Sequence, residues 1–371
     1  MEYKVASNMM SQEQINDSLV AMTKSFFDFS EQVARGLVED IAPPFSDYQS
    51  WDGDIISYCS SIFERYNAHL KALDVNHIHA AEQMVQALVN RASGKIVSFN
   101  LLKEVQAVET MISEAIVQSF KGFPSEAFLE FEKTMIDNES HLLNLLPQIK
   151  IENATYFRVR KKGKKRMIEA KDLFHVPFEL RGKCATYRYS VPGYPSLYLS
   201  HRLKIACLET DISRCDSYYS SCFKAASPHG WRFIDLSLPS NFETVWDRYS
   251  FLVFYPLIMA CGLKVKSPRD AFKPEYIIPQ LLAQVVRLHM IDSCFDGISY
   301  TCTKVNHPDF MDINQRNFVL WITGAEQEKG YSKELSKKVL STPPLRCYPW
   351  NSADKIEYKL RKRHFDKVLE D

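Results

Sequence analysis

Hydrophobic residues between positions 11 and 150 recur at the spacing of helices. Ser11 and Gln14 match the sequence pattern of a capping box, which predicts a helix start. Apolar residues then follow three or four positions apart, at Ile15, Leu19, Met22, Phe26, Phe29, Val33 and Leu37. This pattern predicts one amphipathic helix that ends before Pro43. Three more helical segments are predicted, from about 52 to 90, 99 to 120 and 122 to 147. Short connections between them predict an antiparallel bundle over residues 1–150.

The pattern changes after residue 150. TYFRVRK, SLYLS, WRFIDLSL and NFVLWI are typical of strands, and the segments 249–261 and 276–290 are typical of helices. Strands and helices do not alternate regularly, which favours an α+β domain over a doubly wound sheet. The sequence therefore predicts a helical bundle over residues 1–150 and a mixed α/β domain over residues 151–371.

Composition narrows the classes of function. Of 371 residues, 46% are apolar and 25% charged, and the net charge is +1, so no strong field attracts nucleic acid or an anionic membrane. No window approaches the roughly 18 apolar residues of a spanning helix, and the N-terminus lacks an apolar signal core. Nine cysteines without a CxxC pair indicate reduced thiols and no metal site. We expect a cytoplasmic protein without membrane contacts.

Several common catalytic motifs are absent, namely GxGxxG, GxxxxGK[ST], HExxH and GxSxG. His77 and His79 are two positions apart, so on a helix they point in different directions. Arg65 and His69 leave open a ribonuclease or RNA-binding role for the bundle. The basic run from Lys161 to Arg166 is typical of a solvated loop, or of a phosphate contact.

The stretch from Tyr187 to Thr210 places a carboxylate in an unusual position. Val191 to Tyr194 read VPGY and predict a turn, SLYL predicts a strand, and Ser200 is predicted to cap a helix reaching about residue 215. Glu209 falls on the same face of that helix as Ile205, which should point to the core. A carboxylate there must be paired, protonated or functional.

Ordered blocks in this half resemble the RES domain, a family named for arginine, glutamate and serine. They comprise Phe157-Arg158, the run from Arg188 to Leu199, Glu209, and the segments 274–280 and 296–302. Tyr198 lies ten positions after Arg188 and eleven before Glu209, as in the family pattern. The resemblance spans about residues 155–321. One position departs, because Cys302 stands at the family serine, and Thr301 or Thr303 could supply a hydroxyl instead.

The resemblance implies a fold related to the ADP-ribosyltransferases and NAD as the substrate. Its implied catalytic residues are Glu209, Arg158 and Tyr198. Its implied NAD contacts are Arg158, Arg188, Tyr189, Tyr198, Cys302 and His175, the last in an FHVPF segment. The residue chemistry agrees, since guanidinium groups suit phosphate, a phenol suits nicotinamide or ribose, and a carboxylate stabilises an oxocarbenium ion.

These observations favour an NAD glycohydrolase or phosphorylase that acts as a bacterial toxin or phage-defence effector. The helical region would then regulate it, assemble it into a homo-oligomer or bind an antitoxin. A protein ADP-ribosyltransferase and a catalytically inactive NAD-binding module are the alternatives. The acceptor, whether water, phosphate or a protein side chain, stays open.

Overall fold

The structure is a computed structural model that describes most of the chain. It covers residues 45, 47–73, 75–93, 98–137, 142–162, 168–213, 216–237, 244–290, 295–305, 313–322, 328–348 and 353–369. The amphipathic helix predicted from Ser11 lies outside the described residues.

Most described residues of the N-terminal half lie in helices. Its helices are α1 (Ile55–Lys71), α2 (Val75–Ser93), α3 (Leu101–Phe120), α4 (Pro124–Ile136) and the short α5 (Leu142–Leu145). The Asp54 carboxylate caps α1 by accepting from Ser57 N at 2.8 Å, and Asn100 caps α3 in the same way. The single helix predicted from 52 to 90 was wrong. Ala72 N donates to His69 O, three residues back, and the chain leaves the α-helical path there.

The C-terminal half combines ten strands with five further helices among the described residues. The strands are β1 (Gln148–Ile151), β2 (Tyr156–Lys161), β3 (Leu197–Ser200), β4 (Tyr218–Ala225), β5 (Trp231–Leu236), β6 (Gly297–Thr301), β7 (Arg316–Leu320), β8 (Val339–Ser341), β9 (Leu345–Cys347) and β10 (Asp366–Lys367). The helices are α6 (Leu203–Glu209), α7 (Val245–Cys261), α8 (Ile277–Met290), α9 (Lys333–Lys338) and α10 (Ala353–Arg361).

All ten strands belong to one mixed sheet. Its order is β1-β5-β6-β7-β3-β2-β4-β8-β10, with β9 also paired to β4. Within the described ranges β5 and β6 are the parallel pair, and the other pairings are antiparallel. The predicted α+β class is confirmed.

Helices cover both faces of this sheet. Side chains along the central strands point alternately to the two faces, so both faces carry apolar side chains that must be buried. In β5, Ile234 and Leu236 join a hydrophobic cluster with the N-terminal helices, α7 and α8, whereas Trp231 and Phe233 join a second cluster on the opposite face. A third cluster packs α6 and α10 beside β2 and β4.

The helical half and the sheet half share the first cluster. Helix α7 is buried along almost its whole length, and α3 packs against it. Pro256 has no N–H to offer the Leu252 carbonyl one turn earlier, and the Tyr66 hydroxyl of α1 donates to that oxygen instead, at 2.5 Å. The change of pattern near residue 150 coincides with the start of β1, while residues on both sides of it pack in one core.

None of the described helices is both long enough and apolar enough to cross a bilayer.

Candidate functional site

A cavity of about 640 Å³ lies where β2, β3, α6 and the loop after α7 meet. Four of the residues implied by the RES resemblance as catalytic or NAD-binding line it, namely Arg158, Arg188, Tyr198 and Glu209. This volume is in the range of sites for ligands of nucleotide size. The structure thus brings the predicted guanidinium groups, phenol and carboxylate to one site.

The predicted turn forms one side of the cavity. Tyr194 N donates to Val191 O at 3.2 Å, and Gly193 has a φ of +79°. Proline followed by a glycine with positive φ matches a type II turn, which few other residues allow at the glycine position. The turn returns the chain into β3, which carries Tyr198.

Tyr198 links this turn to the sheet. Its hydroxyl accepts from Tyr189 N at 3.2 Å and lies 3.0 Å from Ser190 Oγ, while its ring lies 5.5 Å from that of Tyr187. Burial raises the pKa of the phenol, so the group is neutral near pH 7. The phenol can donate a hydrogen bond to a ligand but does not act as a base.

Arg158 projects from β2 into the cavity with part of its guanidinium unused. Its Nη1 donates to Tyr198 O at 2.9 Å. Within the described part of the chain no carboxylate forms an ion pair with it, and burial lowers its pKa to about 10. It remains charged near pH 7, and a half-buried cation without an anion is a candidate ligand-binding group.

Arg188 differs because its donors are engaged. Nη1 donates to Cys261 O at 2.8 Å, and Nη2 donates to Leu263 O at 3.0 Å and Thr303 Oγ1 at 3.2 Å. The guanidinium also lies over the ring of Tyr276, 5.1 Å from its centroid. Arg188 therefore holds the end of α7 and the following loop against the segment after β6, and contributes its charge to the cavity.

Glu209 is the last residue of α6 and is oriented by the sheet. Asn317 Nδ2, on β7, donates to Glu209 Oε1 at 2.6 Å, and Ser200 Oγ donates to Asn317 Oδ1 at 2.6 Å.

The predicted cap was wrong, because Ser200 ends β3 and this hydrogen bond uses its hydroxyl. The predicted helix was also too long, since Asp211 adopts a φ of +50° just beyond Glu209. Arg202, a conceivable partner of Glu209, pairs with Glu357 and Asp354 instead.

Cys302 lies behind Glu209 and is absent from the cavity wall. The side chain is fully buried. Burial first, and then the adjacent Glu209 carboxylate, raise the pKa of the thiol well above its usual range. The thiol is therefore a neutral neighbour of the carboxylate. Thr303 does line the cavity, where its hydroxyl accepts from Arg188.

Two other predicted NAD contacts also lie outside the wall. Tyr189 is 2% exposed and packs on Tyr300, with ring centroids 4.7 Å apart. His175 is 2% exposed, accepts from Ser332 N at 2.8 Å and lies 2.7 Å from Val176 O. These partners require Nδ1 to carry the proton, and burial lowers the histidine pKa to about 4. The structure therefore gives both residues packing positions.

Several lining residues were missed or given other roles. Three lining residues were not predicted, namely Lys264, Lys273 and Gln49, since a loop lysine or a glutamine near a helix start gives no signal in one sequence. Among the charged lining residues, Arg158, Arg188, Lys264, Lys273 and Lys304 outnumber Glu209 and Asp211. Lys304 Nζ donates to Asp211 Oδ1 at 2.8 Å, so that pair is neutral overall. The remaining excess of positive charge favours an anionic ligand.

Metal chemistry has no evident centre in the described ranges. No group of three or more His, Cys, Asp or Glu side chains in them could hold an ion. The seven cysteines in those ranges are free and buried.

Comparison with known proteins gives one informative similarity. The chain is 29% identical, over 272 residues and 68% of its length, to a Bacillus subtilis (strain 168) protein named "Putative toxin YopC". The match covers 60% of that relative's length. No family model matches the chain, and no solved structure matches it. The chain is therefore similar to a protein named as a toxin, and the RES resemblance rests on the residues quoted above.

Proposed function

We infer that the protein is an NAD-consuming toxin that cleaves the bond between nicotinamide and ribose. One observation carries this proposal. A single cavity joins the Glu209 carboxylate, fixed by Asn317, to the Arg158 guanidinium, which has no anionic partner among the described residues. The name of the similar bacterial protein supports the toxin role.

Each side chain has a defined task in this reaction. Arg158 binds the pyrophosphate through the donors that Tyr198 O does not occupy. Tyr198 and Tyr187 offer ring faces to nicotinamide or the ribose. Glu209 stabilises the positive charge that develops on the ribose as the C–N bond breaks.

The reaction balances with water as the acceptor. Nicotinamide leaves with the bonding electron pair, so its ring nitrogen becomes neutral. Water adds to the ribose carbon and releases one proton, which gives ADP-ribose, nicotinamide and H⁺. A phosphate or a protein side chain in place of water would give a phosphorolytic enzyme or an ADP-ribosyltransferase.

The decisive experiment compares wild type with Glu209→Gln. The amide keeps the shape of the side chain and loses its charge, so nicotinamide release should fall by about 10² to 10³-fold. Nicotinamide is quantified by chromatography with and without phosphate and an added protein acceptor, which separates the three reactions. Glu126→Gln, an exposed position on α4, is the matched control.

Two results would overturn the proposal. One is wild-type protein that releases no nicotinamide under any acceptor condition. The other is Glu209→Gln protein that is as active as wild type. Equal melting temperatures of the two proteins would show that loss of activity is not loss of the fold.

A further inference from the structure

The loop between α7 and the 3-10 turn at Pro274–Tyr276 forms one rim of the cavity. It contributes Lys264, Val265, Pro268 and Lys273 to the wall. Since Arg188 also binds the carbonyls of Cys261 and Leu263, the start of this loop is fixed from inside the cavity. The middle of the loop is held by contacts with the helical half.

The helical half holds the middle of the loop through the segment just before α1. Lys266 Nζ donates to Trp51 O at 2.7 Å and Gly53 O at 3.0 Å, and the ammonium lies 5.0 Å from the ring centroid of Tyr48. Gln49 Nε2 donates to Val265 O at 3.0 Å, and Gln49 itself lines the cavity. Four neighbouring residues of the helical half thus contact two consecutive loop residues.

The two lysines that this loop brings to the cavity lack counterions. Lys264 makes no hydrogen bond or ion pair within the described ranges. Lys273 Nζ donates to the Asp270 carbonyl at 2.6 Å and meets no carboxylate among the described residues. With Arg158 they make three cations around one cavity, and none is neutralised by a described side chain.

We propose that Lys264 and Lys273 bind the phosphate groups of a dinucleotide, and that the segment Asp47–Asp54 is a brace that positions them. The ligand class rests on the proposed function, and the brace does not. Phosphate oxygens are the natural partners of such cations, because an anionic ligand supplies the counterion that neither ammonium finds among the described side chains. The helical half is then part of the substrate site in addition to any regulatory role.

The brace also explains why the helical half cannot be judged by deleting it. Removing residues 1–150 would uncover α7, whose surface is packed against α3, and would release the loop at the same time. Single substitutions in the full chain separate these effects.

Two variants test the proposal in the full-length protein. Lys264→Gln/Lys273→Gln removes the cations, and Lys266→Met keeps both cations but removes the bonds to Trp51 and Gly53. Lys333→Gln, an exposed lysine on α9, is the control for charge alone. Calorimetry measures binding of ADP-ribose, inorganic pyrophosphate and nicotinamide, and hydrogen exchange follows residues 262–273.

The double lysine variant should bind ADP-ribose and pyrophosphate about tenfold more weakly, with nicotinamide unchanged. Lys266→Met should weaken the same two ligands and speed exchange in the loop, while Lys333→Gln behaves as wild type. Unchanged pyrophosphate binding in the double variant would overturn the phosphate role. Faster exchange in Lys266→Met without weaker binding would overturn the brace.

These outcomes separate the inference from the proposed function. A wild-type protein that binds ADP-ribose and pyrophosphate but releases no nicotinamide contradicts the enzyme and keeps the subsite. A wild-type protein that releases nicotinamide but does not bind pyrophosphate or ADP-ribose contradicts the subsite and keeps the enzyme.

Discussion

Arg158 and Arg188 line the same cavity, yet their surroundings give them different tasks. Arg188 donates to two backbone carbonyls and a threonine hydroxyl, so its charge is built into the wall. Arg158 donates to one carbonyl and has no described counterion. A charged side chain in a cavity therefore indicates a ligand only when some of its hydrogen-bond donors have no partner within the fold.

The largest loss of stability should come from replacing Arg188, whose hydrogen-bond donors the fold already uses. Arg188→Met leaves the Cys261 and Leu263 carbonyls buried without a donor, which should cost about 4 kcal/mol of the free energy of unfolding. Urea unfolding followed by circular dichroism measures it. A loss below about 1 kcal/mol would mean that water or a neighbouring donor replaces the guanidinium.

A buried carboxyl group outside the cavity wall extends the comparison. Glu104, on α3, is 4% exposed and accepts from the Tyr249 hydroxyl at 2.8 Å, and burial raises its pKa to about 7. A raised carboxyl pKa contributes stability below the unfolded value of 4.5, and this contribution is lost as pH rises through 7. The wild-type protein should lose about 3 kcal/mol over this window relative to Glu104→Gln.

The Glu104 measurement needs unfolding curves at several pH values. Glu104→Gln should be the more stable protein at pH 8, and the difference should shrink toward pH 4.5. Glu126→Gln, an exposed change on the neighbouring helix, should follow wild type throughout. Parallel curves for wild type and Glu104→Gln would show that the buried carboxylate does not titrate in this range.

The smallest effect on stability should come from Arg158. Arg158→Met removes one hydrogen bond and also a charge that burial disfavours, so the free energy of unfolding should change by less than about 1 kcal/mol. Pyrophosphate binding should nevertheless weaken about tenfold. Arg160→Met, two residues along β2 at an exposed position, is the control. Equal binding by both variants would remove Arg158 from the ligand site.

Much of the site could be predicted from the sequence because local rules govern it. Proline and glycine specify the turn at 191–194, and alternating apolar residues specify β3 and β5. The class of fold followed from the irregular mixture of such elements. The helix that ends at Glu209 was predicted too long and with the wrong cap, since its length and capping depend on Asn317 and Glu357, more than 100 residues away.

The predicted contacts that lie outside the cavity wall share a physical cause. His175, Tyr189 and Cys302 can each bind a ligand, but each is also a good buried side chain. The sequence around each residue does not show whether its side chain faces the core or the cavity. Packing of His175 against Ser332, and of Tyr189 against Tyr300, turns them away from the cavity.

The sequence by itself determined the α+β class and the turn and strand that carry Tyr198, and its resemblance to the RES domain selected Arg158, Arg188, Tyr198 and Glu209 as candidates. Only the tertiary structure decided which arginine is saturated, that Asn317 orients Glu209, and that residues 47–54 hold a lysine-bearing loop more than 200 residues away. Backbone preferences act over a few neighbouring residues and are visible in one sequence. Whether a hydrogen-bond donor finds a partner within the fold depends on acceptors from distant segments. These segments come together only when the core forms.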